Sequence, residues 1–105
     1  MAAPAETSAG DGAPPARALS DADQAFKAAM EKMHEGMAIE LSGDPDVDFA
    51  RGMIAHHQGA IDMANVLLDH GDDPDMRALA EEIIAAQEAE IATMQAWLKV
   101  NAPSN

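Results

Sequence analysis

The tripeptide Asp-Pro-Asp occurs twice, at 44–46 and 73–75, and each copy marks a place where a helix must begin. Proline fixes φ near the helical value and has no N–H to donate. It fits the first position of a helix and breaks one further in. The aspartate before it offers a side-chain oxygen to the free N–H groups of the first turn, and the aspartate after it sits at the positive end of the helix dipole. Gly43 and Gly71 stand just upstream as helix stops. The chain from residue 20 onward is thereby divided into three helical segments.

The first segment opens with Ser20 as N-cap and Asp23 three residues on, close to a capping box. Its apolar face (Ala22, Phe26, Ala29, Met30, Met33, Met37, Leu41) predicts a helix that runs to Gly43. The second carries Phe49, Met53, Ile54, Ala60, Ile61, Ala64, Leu67 and Leu68. The third carries Met76, Leu79, Ala80, Ile83, Ile84, Ile91, Met94, Trp97 and Leu98. At about 26 residues, each of the last two would be roughly 39 Å long. Loops of two to four residues would make neighbours antiparallel.

The expected fold is therefore all-α: an antiparallel bundle of three long helices over residues 19–101. It either closes on itself or is completed by dimerisation across a two-fold axis. Residues 102–105 read as a tail. Residues 1–18, rich in Ala, Pro and Gly, bury too little apolar surface to offset their ordering entropy and read as a disordered leader. They lack the basic and apolar regions of a signal peptide. That suits a chain beginning just after a removed signal, and equally a cytoplasmic start. Gly36, Gly52 and Gly59 lie inside helices, each at a cost of roughly 1 kcal/mol relative to Ala. Close helix approach, or room for an ion, would account for them.

Charge and sulfur narrow the function. Nineteen acidic against six basic residues give a net charge of −13, which argues against a nucleic-acid partner, since a binder of phosphates needs a basic face, and favours cations or basic partners. Without cysteine there are no disulfides, zinc fingers, Fe–S clusters or thiol catalysis. No apolar run approaches the ~20 residues of a membrane helix, so membrane insertion is not expected. Eight methionines and four histidines nonetheless stand in a chain with three aromatic residues.

Their spacing carries the chemistry. Met30, Met33, His34 and Met37 fall at i, i+3, i+4 and i+7, on one side of the first helix. Met53, His56 and His57 repeat the spacing on the second, and Met63 follows. Thioether sulfur is a poor ligand for hard cations and a good one for Cu(I), and by the same softness for Ag(I); imidazole binds copper in either oxidation state. The competing reading is a methionine-rich core, since Met is a flexible gap-filler. Against it stand the concentration of Met on the first two helices and the place of His57 near the centre of an apolar stripe, where each ring nitrogen needs a partner. On the third helix Gln87 and Glu90 interrupt the stripe. Either can hydrogen-bond a histidine and fix its tautomer, or belong to a plain buried network. His70, beside Gly71, reads as a cation at the negative end of the helix dipole.

The stretch Asp48-Phe49 … Met53-Ile54-Ala55-His56-His57-Gln58-Gly59-Ala60-Ile61-Asp62-Met63-Ala64 resembles the hallmark of the family called domain of unknown function 305. So do Leu79-Ala80 … Ile83 … Gln87 … Glu90-Ile91 … Met94 … Trp97-Leu98 and the upstream Met30-x-x-Met33-His34-x-x-Met37. The likeness covers about residues 24–99. It implies a ferritin-like helical bundle, usually exported, and some relatives are periplasmic copper-binding proteins that use Met and His in copper resistance. Carried over by position, the implied ligands are Met53, His56, His57 and Met63, with Met30, Met33, His34, Met37 and Met94 as further candidates. Ala55 departs from the proline of many members, which questions a local kink and leaves the ligands untouched.

The expectation is an exported, non-enzymatic protein that sequesters or delivers Cu(I), with Ag(I) or Cu(II) as further cargo. It would act alone, as a homodimer, or with a copper-handling partner. Two other classes compete. A di-iron or di-manganese carboxylate oxidase needs two Glu-x-x-His units and two further Glu, and only Glu31-Lys32-Met33-His34 has that form. A metal-free structural or interaction dimer with a Met-rich core needs no ligands at all.

Overall fold

The computed structural model describes residues 20–102, and within them the chain is all-helical. Helix α1 spans Asp21–Met37, α2 Pro45–His70 and α3 Pro74–Asn101, with no strand among the described residues. The expected leader and the last three tail residues lie outside the described residues.

All three helix starts follow from local capping chemistry. Ser20 Oγ accepts from the Asp23 N–H, and the Asp23 carboxylate accepts from the Ser20 N–H, a closed capping box. Asp44 accepts from the N–H groups of Asp46 and Val47, and Asp73 from that of Met76, with Pro45 and Pro74 leading their helices.

The first helix ends earlier than its apolar pattern implies. It stops at Met37, the connection is residues 38–44 rather than two to four residues, and Leu41 is 76% exposed. The cause is a competing set of hydrogen bonds. The Asp48 carboxylate accepts from the Ser42 N–H at 3.0 Å and from its hydroxyl at 2.9 Å, and Ser42 Oγ accepts from the Asp44 N–H. Gly43 turns at φ 92°, a left-handed conformation that favours glycine. The Ser42 bonds hold the Asp48 carboxyl below its ordinary range, the backbone N–H contributing most.

α1 and α3 each pack along α2 and not against one another. On the α1 side, a Cβ on Gly36 would lie 3.1 Å from that of Ala55, and one on Gly59 would fall 2.5–2.7 Å from the Met33 side chain. Close approach thus explains both glycines. α2 runs unbroken through Ala55. At the turn into α3, Arg77 donates to the carbonyls of Leu68 and Gly71 at 2.8 and 3.0 Å. This guanidinium, not the exposed His70, supplies the hydrogen bonds at the end of α2. Gly71 itself is extended (φ −86°, ψ 156°).

The core is thin. Its buried members are Ala29, Val47, Ala50, Ile61, Ala64, Val66 and Ala80, while Phe49, Met30, Met76 and Leu79 remain exposed. No described helix is long and apolar enough to cross a membrane.

Candidate metal site

The α2–α3 pairing brings chemistry-bearing residues from two helices into one groove. Met53 and His57 are one turn apart on α2, and Glu90 and Met94 one turn apart on α3. With Phe49 and Thr93 they line an open cleft of about 280 Å³. Glu90 Oε1 lies 2.5 Å from His57 Nε2. A carboxylate only accepts, so Nε2 is the donor in this pair. The two partners are unequally placed: the His57 side chain is 12% exposed and that of Glu90 61%.

The other nitrogen of the ring is the anomaly. His57 Nδ1 is buried without a hydrogen-bond partner. Such an atom costs about 1–3 kcal/mol; among the described residues only Asp62 Oδ2 and Gln87 Oε1 share this condition. Gln87, on the same helix as Glu90, has its Oε1 buried and likewise unpartnered, and it does not bond either histidine.

The remaining candidates sit elsewhere. The His56 ring is edge-on to His57 with centroids 6.1 Å apart, but it is exposed and does not line the groove. Met63 lies in a separate apolar groove with Phe26, Met76 and Leu79. Met33 packs over Gly59 between α1 and α2, where Lys32 pairs with Asp62 at 3.5 Å. Met30, His34 and Met37 are exposed on α1. The set implied by spacing and resemblance therefore divides: Met53, His57, Met94 and Glu90 share a groove, and the α1 residues do not join it. Among the described residues, no three His, Asp or Glu side chains gather closely enough to hold a metal ion.

Asp48 and Arg77 emerge as residues with definite jobs that spacing did not reveal. Asp48 sits inside the resemblance motif, yet its bonds are to the Ser42 loop.

These features define a small all-helical protein whose soft donors meet on a helical hairpin. The sequence model of the domain of unknown function family DUF305 matches residues 46–104, more than half of the chain, and the protein belongs to that family. The match takes in α2 and α3 and leaves α1 outside. Comparison with curated proteins returns no match.

Proposed function

We propose that this protein binds Cu(I) as cargo at the α2–α3 groove, with Ag(I) or Cu(II) as weaker alternatives. It sequesters or passes on the ion outside the cytoplasm without catalysing a reaction. The observation that carries the reading is the grouping of two thioethers, Met53 and Met94, with the half-buried imidazole of His57 and the Glu90 carboxylate. Sulfur and imidazole without cysteine form a copper-type donor set. In the metal-free protein Glu90 holds the Nε2 hydrogen. A metal taken up at Nε2 displaces the carboxylate, and the ring hydrogen moves to Nδ1 so that Nε2 has a lone pair to give; a protonated ring has none, so capture weakens with acidity. Glu90 is long and largely exposed, which makes the displacement easy. His56 and the exposed Met30, His34 and Met37 are suited to a first, looser capture. The architecture in this reading is an antiparallel, ferritin-like bundle completed by a second copy.

The test is an anaerobic Cu(I) titration against a chromophoric chelator. Wild type competes, and His57→Ala and the double variant Met53→Leu/Met94→Leu each lose at least tenfold in affinity. Wild type that fails to compete, or competition untouched by these variants but abolished by Met30→Leu/Met37→Leu, overturns the assignment.

A further inference from the structure

We propose that the open seam between α2 and α3 is the docking surface for a second copy of this chain, and that docking closes the groove that holds His57. Three open grooves follow one another along this seam. One end is formed by Met63, Met76 and Leu79, with Phe26 of α1 at its border, the middle by Met53, His57, Glu90 and Met94, and the far end by Phe49 and Trp97. The pattern is apolar, polar, apolar. A two-fold axis through the middle sets the Phe49 end against the Met76 end of the partner, and the His57–Glu90 pair opposite its own copy. A surface that matches itself under a two-fold is what an isologous dimer requires.

Area and core point the same way. Phe49 is 65% exposed, Met76 46%, Leu79 44% and Trp97 37%. These four leave on the order of 400 Å² of large apolar side chain on the seam. The half-buried Met53, Met94, Leu67 and Ile83 add to it, against about 800 Å² per partner in a standard interface. Among the described residues no large side chain is fully buried, so the helices have too little core of their own, the situation that oligomerisation remedies in small folds. The only ionisable groups lining the middle and far grooves are Asp46 and the His57–Glu90 pair, in which the carboxylate is already engaged, so despite the acidity of the chain a basic partner finds little to hold there. The cost is repulsion between two chains of −13 each, so salt should strengthen the association. The consequence for the metal rests on the copper reading above: one protomer offers three soft donors in an open cleft, and the second copy closes it and sets its own Met53, His57 and Met94 opposite.

The experiment is sedimentation velocity on the metal-free full chain over a range of concentrations and two ionic strengths. The expected species is twice the 11.0 kDa protomer, and its dissociation constant falls as salt rises. Phe49→Asp and Leu79→Asp, at opposite ends of the seam, each raise that constant at least a hundredfold with helicity kept. Leu41→Asp, off the seam, leaves it unchanged. Trp97, the single tryptophan, gives a second readout in unaltered protein: its emission moves to the red on dilution. A wild-type monomer at every concentration, a dimer indifferent to both seam variants, or one broken by Leu41→Asp overturns the proposal. No metal is present, so a dimer that ignores copper removes only the copper function proposed above, and a copper-binding monomer removes this proposal and the completed bundle while leaving the copper site standing.

Discussion

The His57–Glu90 pair predicts an asymmetry between its two deletions. His57 already has one ring nitrogen buried without a partner. Glu90→Ala strips the other as well, leaving both nitrogens of a mostly buried imidazole unsatisfied. A hydrogen bond to a charged group contributes about 1.5–3 kcal/mol. Because Glu90 is 61% exposed, water recovers part of that, so the expected net loss is about 1–2 kcal/mol. His57→Leu acts in the opposite sense. It removes the unpartnered Nδ1, fills an apolar seam, and leaves Glu90 free to hydrate, so metal-free stability stays level or rises by about 1 kcal/mol. The assay is urea unfolding followed by circular dichroism, at one protein concentration so that self-association does not confuse the comparison. A neutral Glu90→Ala together with a clearly destabilising His57→Leu would refute the argument, because the ring would then be held by contacts other than the carboxylate.

Further predictions concern the supports of the site. Arg77→Met removes both hydrogen bonds to the end of α2 and should cost about 1–2 kcal/mol in the same unfolding assay. Gly59→Val places a Cβ within 2.5–2.7 Å of Met33 atoms that include its Cβ, so α1 has to shift. The expected net loss is about 1–2 kcal/mol after the gain in helix propensity, and a second change, Met33→Ala, should recover only part of it, because the alanine Cβ stays at 2.7 Å. The Asp48 carboxyl titrates below its ordinary 3.8 when folded. Its contribution is fully present above that value and is lost as pH falls through the lower folded value. Asp48→Asn should therefore flatten the acid limb of a stability–pH curve below about pH 4 and leave its shape near neutrality unchanged.

How much the sequence revealed depended on the range over which each feature is decided. The starts at Ser20, Asp44 and Asp73 were legible because a cap is settled within three residues. The end of α1 was not. Its apolar pattern continues to Leu41, but Asp48 reaches back six residues to claim Ser42 and fixes a loop there. The Arg77 cap was hidden for a similar reason, since its carbonyl partners lie six and nine residues upstream across a turn. Within the candidate site, Met53 with His57 and Glu90 with Met94 could be paired by helical spacing. The Asp-Pro turn then sets the register that brings Glu90 to His57. The separation of the α1 methionines from that groove follows from which way α1 faces across α2. That orientation is fixed by Met33 resting on Gly59, a contact that periodicity alone does not specify.

The central claim is that two methionine sulfurs and the His57 imidazole hold one soft ion. Copper K-edge X-ray absorption of the protein loaded anaerobically with one equivalent of Cu(I) tests it most directly. The account predicts a first shell of mixed sulfur and nitrogen scatterers, with the nitrogen lost in His57→Leu and sulfur reduced in Met94→Leu. A shell of nitrogen and oxygen alone, or a mixed shell that survives both substitutions unchanged, would contradict it.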